Sequence, residues 1–390
     1  MKRFKLIIII AAAAAIGLAG CAGESSAEQA INDNTATKTD KEVQEPIEIP
    51  GTASTFSTDF TRYSINADEV LSGGPPKDGI PAVTDPEFVS VDDASAWIGA
   101  AEPVIMVIKG ELKKAYPLQI LMFHEIVNDT IDGMPVAVTY CPLCNTSVVF
   151  KAEVDGRRLD FGTTGRLRFS NLLMYDRQTE SWWQQASGTG VIGTYTGTEL
   201  EIYPSIILSF SELQNLHPDA AVQTKNTGYG RPYGENPYVG YDSGSPWAYR
   251  NGPALPEGVD PMERAVMVRI GGEEKVLRYE EVEKEGLITD TLGGAEIAAI
   301  WGPGVASPLD TREIRSGRDV GNVNVFYQNT ATRDLELYFD NGVMKDRETG
   351  SAFNAAGLGT DGPLKGEQLI PAPAIQHFWF SAYVFSNLGL

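Results

Sequence analysis

The chain has 390 residues, 42% of them hydrophobic, and its 52 acidic side chains outnumber its 31 basic ones to give a formal net charge of −21. This excess of negative charge argues against nucleic acid or anionic lipid headgroups as partners, because both would be repelled.

The first twenty residues have the composition of a lipoprotein signal peptide. Lys2, Arg3 and Lys5 precede an unbroken apolar run at 6–16, which is too short to span a bilayer. Small residues lie directly before Cys21, as in the lipobox of bacterial lipoproteins, where the cysteine is lipidated and becomes the new N-terminus. The alternative is an ordinary secretory signal with a chance cysteine. The sequence therefore predicts an extracytoplasmic protein, lipid-anchored to a bacterial or archaeal membrane, with the lipid as its only membrane partner.

Residues 21–55 are rich in Ala, Glu, Thr, Asn, Asp and Lys, and this composition predicts a disordered tether. An N-terminal segment at 56–95 follows. The remaining chain is long enough for two domains or one double domain.

Two stretches of the chain match each other, which predicts an internal duplication. Residues 104–148 align without a gap with residues 265–309, at an offset of 161. Four glycines between 188 and 197 match four between 357 and 366 at an offset of 169. We therefore predict repeat A at 96–225, a Gly-, Pro- and Tyr-rich linker at 226–258 and repeat B at 259–390.

The predicted fold class is α+β and predominantly β, with two internally duplicated β-rich halves and short helices. Alternating apolar runs predict the strands, and Asp132-Gly133 and Gly293-Gly294 fit two-residue hairpin turns. Apolar spacing predicts a helix at 118–127, and a second is expected at 209–216.

Features present in both copies are expected to serve the fold, whereas features of one copy are candidates for function. By this criterion Asp176, Thr179 and Ser181, which are matched in copy B by an equivalent Asp-x-x-Thr-x-Ser run, are turn residues. The cysteines of copy A have no counterpart: Gly302 and Val305 occupy the matching positions of copy B. His124 is also unmatched, since it aligns with a glutamate.

Cys141 and Cys144 form a Cys-x-x-Cys motif, whose spacing lets both sulfurs face one ion or bond to each other. Thiolates select soft or borderline ions, so we predict a copper or zinc site with Cys141, Cys144 and His124 as ligands. His377 is a candidate fourth ligand. A redox or structural disulfide, or two inert thiols, remain alternatives.

Three further residues are candidates for ligand binding. The copy-A segment 162–165, followed by Arg166 and Arg168, fits either an anion-binding nest or a plain hairpin loop. Trp182 is expected to be exposed and to stack on a ligand such as a sugar ring, while its neighbour Trp183 is expected to belong to the core.

Several motifs together resemble one known family. They are the run from His124 to Asp129, Tyr140-Cys141-Pro142-Leu143-Cys144, the run from Met174 to Ser181, and His377-Phe378-Trp379-Phe380. These motifs are similar to those of the domain of unknown function 3179, over nearly all of 71–385. The resemblance implies an exported or lipid-anchored bacterial or archaeal protein with no assigned activity. It also leads us to expect a final strand that is incomplete, because the chain ends soon after Phe385.

The sequence therefore predicts a lipid-anchored extracytoplasmic protein that binds copper or zinc through its Cys-x-x-Cys and His residues. One alternative is a thiol–disulfide redox protein that uses the same cysteines. Another is a non-catalytic binding module for a glycan or a protein, which uses Trp182 and the tyrosines of the linker. The sequence predicts neither an enzymatic reaction nor its absence.

Overall fold

The computed structural model describes residues 44–52 and 54–387. The predicted signal peptide, the lipidation site Cys21 and most of the predicted tether lie outside these residues. The predicted tether, 21–55, extends too far along the chain, because Ile47 and Ile49 are buried in a small apolar cluster with Phe56. No helix of the described residues is long and apolar enough to cross a membrane.

The elements of the first half are short strands with three helices between them. In chain order they are β1 (Val70–Ser72), β2 (Val83–Thr84), β3 (Phe88–Ser90), α1 (Val91–Ala94), β4 (Pro103–Lys109), β5 (Leu112–Pro117), α2 (Leu118–His124), β6 (Ile126–Ile131), β7 (Met134–Cys141), β8 (Thr146–Lys151), β9 (Glu153–Val154), β10 (Arg157–Arg158), β11 (Phe161–Arg168), β12 (Asn171–Asp176), β13 (Trp182–Gln184), β14 (Thr189–Ile192), β15 (Ile202–Tyr203), β16 (Ile206–Ser209), α3 (Phe210–Leu216) and β17 (Ala221–Gln223).

The second half has the same character. Its elements are β18 (Arg264–Ile270), β19 (Glu273–Arg278), α4 (Tyr279–Glu285), β20 (Leu287–Leu292), β21 (Ala295–Gly302), β22 (Asn322–Tyr327), β23 (Leu337–Asp340), β24 (Val343–Asp346), β25 (Ala352–Phe353), β26 (Gly359–Asp361), β27 (Ala374–Phe378) and α5 (Trp379–Asn387). Single-turn 3₁₀ helices lie at Ala67–Glu69, Pro142–Cys144, Tyr241–Ser243 and Ile314–Ser316. The predominantly β, α+β class predicted from the sequence is confirmed.

The largest sheet of the described residues combines strands from both halves, in the order β19-β18-β27-β8-β7-β6-β2, with β15 also paired to β8. The two halves join where Gln376 of β27 pairs with Ser147 of β8. The core crosses between the halves as well, because Met267, Ile375 and Phe378 pack into the same cluster as the apolar residues of β6 to β8. Residues from Gln44 onward form one compact unit.

The other sheets stay within one half. The first half has the sheets β16-β4-β5-β17-β3 and β1-β11-β12-β13-β14, and the second half has β20-β21-β22 and β23-β24-β25-β26.

Element order and pairing recur between the halves. The bounds of β4, β5, α2, β6 and β7 each reappear 161 residues later as β18, β19, α4, β20 and β21. The strand partners recur too, since β4 pairs with β5 and β16, and β18 pairs with β19 and β27. The Asp176 carboxylate binds the backbone N–H and hydroxyl of Thr179, as the Asp346 carboxylate binds those of Thr349. This recurrence supports the predicted duplication, which remains an inference.

Local sequence explains where the elements turn and end. At Asp132-Gly133 both residues have positive φ, 47° and 75°, as a type I′ hairpin turn requires. Helix α3 begins after Ser209, which forms a capping box with Glu212. The helix predicted at 118–127 is shorter than expected, because Glu125 adopts a left-handed conformation and ends it at His124. The expected final strand is wrong for Trp379–Asn387, which form α5.

Candidate functional site

The two cysteines lie on a tight turn between two central strands. Strand β7 ends at Cys141, Pro142–Cys144 make one 3₁₀ turn, and Asn145 in a left-handed conformation (φ 48°) leads into β8. Pro142 suits the first position of the turn because its φ is already fixed there. Both cysteines are free thiols and almost fully buried. The turn therefore brings two unbonded sulfurs together inside the protein.

The two sulfurs differ in their surroundings. Burial acts to raise the pKa of Cys141, but hydrogen bonds from the thiol of Cys144 and from the backbone N–H groups of Leu172, Cys144 and Leu143 lower it below its ordinary value of 9.0. In its protonated form Cys141 faces the Ser170 carbonyl oxygen at 3.7 Å. Burial, followed by the hydrogen bond to Cys141, raises the pKa of Cys144 well above 9.0. Of the two sulfurs, Cys141 is therefore the one whose surroundings favour the thiolate form, and Cys144 is the one whose surroundings favour the thiol.

Glu125 is a buried carboxyl beside this pair. Its backbone carbonyl accepts a hydrogen bond from Tyr140, the residue before Cys141, and its side chain is only 7% exposed. Burial, and then the negative charge of Cys141, raise the pKa of Glu125 well above its usual 4.5. Within the described part of the chain the carboxyl has no hydrogen-bond or ion-pair partner.

The backbone of Glu125 is as unusual as its side chain. It has φ 58° and ψ −29° at the end of α2, a region that glycine adopts without penalty. At the equivalent end of α4 the residue is Gly286, with φ 75°. The first half therefore keeps a carboxyl at a position where the second half has a glycine. Sequence analysis missed Glu125, although its alignment with Gly286 at the same offset of 161 was a signal that could have found it.

His377 reaches the cysteine turn from the second half of the chain. Its Nδ1 lies 2.9 Å from the Thr146 hydroxyl and 3.2 Å from that of Ser381, and Ser381 in turn hydrogen-bonds Cys144. Burial and the charge of Arg269 lower the pKa of His377 to about 3, so the ring is neutral near pH 7. Its Nε2 has no partner among the described residues. The predicted fourth ligand thus lies near the thiols but contacts them through Ser381.

The structure does not bring His124 to the thiols. Its Nδ1 lies 2.7 Å from the Pro81 carbonyl oxygen and its Nε2 lies 2.6 Å from the Tyr233 hydroxyl. The left-handed backbone of Glu125 explains why His124 is not at the thiols, because it directs Glu125 to the cysteine pair while His124 faces Pro81 and Tyr233. In residues 44–52 and 54–387 no group of three or more His, Cys, Asp and Glu side chains could hold a metal ion. The predicted Cys–Cys–His cluster is therefore not formed there.

The expected anion-binding nest or hairpin loop at 162–165 is wrong, because this segment lies within strand β11 and carries a bulge. The hairpin turn instead lies at Phe169 and Ser170, both with positive φ. Arg168 is 4% exposed, and its Nε pairs with the Glu69 carboxylate at 2.7 Å, whereas its buried Nη1 has no hydrogen-bond partner among the described residues. Arg166 donates a hydrogen bond to the Pro50 carbonyl oxygen at 2.7 Å, and no carboxylate of the described residues forms an ion pair with it.

The expectation of an exposed Trp182 is also wrong, because its ring is fully buried. Phe56 and Phe60 of the N-terminal segment pack edge-on against the indole, with ring centroids 4.9 Å and 5.9 Å away. Trp183 is buried as predicted, and its indole N–H donates to the Asp176 carboxylate at 2.9 Å.

A cavity of about 430 Å³ lies against the cysteine turn. Its inner wall includes Glu125, Leu143 and Leu172, and the backbone N–H groups of the two leucines donate to Cys141. Tyr238, Tyr241 and Trp247 of the linker also line it. The sequence singled out the tyrosines of the linker as candidates for binding, but not Trp247. The Tyr241 hydroxyl donates to the Leu143 carbonyl oxygen at 2.8 Å, which ties the linker to the turn.

Comparison with known proteins yields one match. No curated protein and no solved structure matches the chain. The family model described as a protein of unknown function, DUF3179, matches residues 77–388, a span that holds the cysteine turn, Glu125, the cavity-lining part of the linker and His377. The match covers most of the chain, and the protein therefore belongs to the DUF3179 family.

Proposed function

We propose that the protein is an extracytoplasmic thiol–disulfide protein in which Cys141 and Cys144 cycle between a dithiol and a disulfide. The observation that carries this proposal is the pair of free sulfurs on one tight turn with unequal surroundings: hydrogen bonds lower the pKa of Cys141, whereas burial raises the pKa of Cys144. Thiol–disulfide chemistry needs this inequality, because the thiolate is the nucleophile and the second thiol resolves the intermediate.

The surroundings favour reversible chemistry over a permanent crosslink. A disulfide with a structural role is normally formed, whereas both cysteines are free here. The hydrogen bonds that lower the pKa of Cys141 come from the Cys144 thiol and from the N–H groups of its own turn and of Leu172. Ser381, which lies 3.2 Å from Nδ1 of His377, hydrogen-bonds Cys144. The two sulfurs are therefore hydrogen-bonded neighbours, as the formation of a disulfide requires.

Metal binding stays a prediction that the same experiment tests. The two sulfurs suit a soft ion such as Cu⁺, but among the described residues they do not form part of a group of three or more His, Cys, Asp and Glu side chains that could hold a metal ion. Lipid anchoring through Cys21 also stays a prediction, and it would hold the site on the outer face of a membrane.

The test is a redox titration of the full chain, with free thiols counted by alkylation and mass. We expect a reversible transition of two thiols at a potential above about −300 mV, the range of labile disulfides. The variants Cys141→Ser and Cys144→Ser should each abolish it. Metal analysis of the same protein purified without chelators is the second measurement. If the thiols stay reduced at every potential while one copper or zinc per chain is retained, the redox proposal is wrong and the metal prediction replaces it.

A further inference from the structure

Glu125 is the one acidic side chain that lines the cavity of about 430 Å³, among the residues that the structure describes. It is only 7% exposed, and within the same residues its carboxyl has no hydrogen-bond or ion-pair partner. A carboxyl that is removed from water without a partner costs stability in the native state. Its left-handed backbone is a second cost, which Gly286 avoids at the equivalent position. Such a residue fits a site in which a ligand supplies the missing partner.

The rest of the lining is mostly apolar. Aliphatic side chains such as Leu167 and Leu172 form part of the wall, and Tyr238, Tyr241 and Trp247 provide three aromatic rings. The face of an aromatic ring carries negative electrostatic potential, so it attracts cations as well as the edges of other rings. The cavity volume lies in the range of sites for small organic molecules, about 300–1,000 Å³. The lining therefore suits a small ligand with an apolar body.

Hydrogen bonds hold the aromatic side of the cavity in place. The Tyr241 hydroxyl donates to the Leu143 carbonyl oxygen at 2.8 Å and accepts from the backbone N–H of Trp247 at 3.1 Å. The Trp247 carbonyl oxygen in turn accepts from the Ser170 hydroxyl. Trp247 is 52% exposed, so it lies on the open side of the cavity. A wall that is fixed before a ligand arrives binds it with less loss of entropy.

Arg166 is the one basic side chain in the lining, again within the described part of the chain, and it would favour an anion. It is half-buried, and its guanidinium donates to the Pro50 carbonyl oxygen at 2.7 Å. Because Arg166 keeps contact with solvent, its charge needs no ligand, whereas Glu125 has almost no solvent and no partner. The net charge of −21 also attracts cations to the protein. The lining therefore favours a ligand that pairs with the carboxyl.

An amine satisfies the Glu125 carboxyl in either arrangement of the proton that the two groups share. An ammonium donates to a carboxylate, and a neutral amine accepts from a carboxylic acid. The aromatic side chain of Tyr238 lies close enough to Glu125 to interact with it, since burial and then the charge of Glu125 raise the pKa of Tyr238. An ammonium beside the carboxyl is therefore also near an aromatic ring, which attracts it.

We propose that the cavity binds a small arylalkylamine, whose nitrogen pairs with the buried carboxyl of Glu125 and whose ring packs against Tyr238, Tyr241 and Trp247. This site goes beyond the proposed thiol–disulfide function and does not depend on it. Neither Cys141 nor Cys144 is among the residues that line the cavity, and the proposal requires no contact between the ligand and a sulfur.

The test uses the full chain and three probes that share a phenyl ring but differ in charge, namely 2-phenylethylamine, 2-phenylethanol and 3-phenylpropanoate. Isothermal titration calorimetry at pH 7 measures the Kd of each probe. Quenching of tryptophan fluorescence, compared between the wild type and Trp247→Phe, locates the bound ring. Glu125→Gln keeps the size of the side chain but removes its charge. Glu285→Gln, an exposed change at the end of α4, is the matched control.

We expect 2-phenylethylamine to bind the wild type more tightly than 2-phenylethanol by about 10- to 100-fold, the factor of a hydrogen bond to a charged group. This comparison needs no variant. Glu125→Gln should weaken binding of the amine until its Kd is close to that of the alcohol. The alcohol should bind this variant as it binds the wild type, which shows that the cavity is intact. Glu285→Gln should bind all three probes with unchanged Kd values.

Three results would overturn the proposal. If the alcohol binds the wild type as tightly as the amine does, the cavity does not select a cation. If 3-phenylpropanoate binds more tightly than the amine and Arg166→Gln abolishes its binding, the cavity is an anion site. If none of the probes binds, or if Glu125→Gln keeps the preference for the amine, Glu125 does not hold such a ligand.

Discussion

Replacing Glu125 by glycine should stabilise the protein, because the residue has two separate energetic costs in the native state. Its left-handed backbone costs about 1–2 kcal/mol for a non-glycine residue. Its unpartnered buried carboxyl costs about 1–3 kcal/mol. Against these gains, glycine adds about 0.5–1 kcal/mol of backbone entropy to the unfolded chain. Each side-chain methylene that the variant lacks also removes about 0.8 kcal/mol of stabilisation by burial. Together these terms predict that Glu125→Gly raises the free energy of unfolding by about 1 kcal/mol at acidic pH.

The gain should grow as the pH rises, and the sign follows from the direction of the pKa shift. The folded-state pKa of Glu125 lies well above 4.5, its ordinary value. Between those two pKa values the folded chain holds a proton that the unfolded chain has released, so the wild type loses stability as the pH increases. The slope is about 1.4 kcal/mol per pH unit within that window. The variant lacks this proton and lacks the slope.

Urea unfolding at pH 5 and pH 8, followed by tryptophan fluorescence, measures both effects. Asp155→Gly is the matched control, because Asp155 also has a positive φ, 51°, but is exposed in a turn. This control should gain only from the relief of backbone strain, and equally at both pH values. A Glu125→Gly variant that is less stable than the wild type at pH 8, or whose gain is the same at pH 5 and pH 8, would show that the Glu125 carboxyl does not destabilise the native state in this way.

Three other predictions concern separate parts of the chain. The pKa of His377 is about 3 in the folded chain and 6.5 ordinarily, so the wild type should lose stability as the pH falls below 6.5, by about 1.4 kcal/mol per pH unit. In urea unfolding at pH 6.5 and pH 4.5, His377→Gln should lose less free energy of unfolding between the two pH values than the wild type does. An equal loss would contradict this. Trp182→Ala should lower the free energy of unfolding by about 3–5 kcal/mol, as measured in urea, because the N-terminal segment packs on the indole. It should also speed limited proteolysis at 44–60. Resistance to proteolysis equal to that of the wild type would count against that packing. Cys21→Ala should leave the chain without labelled fatty acid and outside the membrane fraction, and continued labelling would exclude Cys21 as the lipidation site.

Local patterns determined most of what could be predicted of the fold. Paired turn residues such as Asp132-Gly133 and alternating apolar runs fix strands through near neighbours in the chain, and the expected β-rich class followed from them. The end of α2 was misplaced because Glu125 is not a residue type that normally takes a left-handed conformation. Nothing in its immediate sequence indicates this, whereas the glycine at the end of α4 does.

The site was only partly predictable for a related reason. Comparing the two copies identified Cys141 and Cys144, which the structure places as adjacent free thiols. It failed for Trp182, because the residues that bury the indole, Phe56 and Phe60, lie more than a hundred positions earlier, in the N-terminal segment at 56–95, for which no fold was predicted. Contacts at such separation leave no periodic trace in the sequence.

The sheet that combines strands from both halves also implies an order of events in folding. Strand β27 and helix α5, which provide His377 and Ser381, are the last elements of the described chain, and His377 meets Thr146 across a separation of 231 residues. Until β27 docks, Ser147 of β8 lacks its partner Gln376, and the turn with both cysteines lacks Ser381, which hydrogen-bonds Cys144. A chain that crosses a membrane in extended form would therefore expose its dithiol to the oxidants of the new compartment for most of its passage. The burial of both cysteines is complete only once the C-terminal elements are in place.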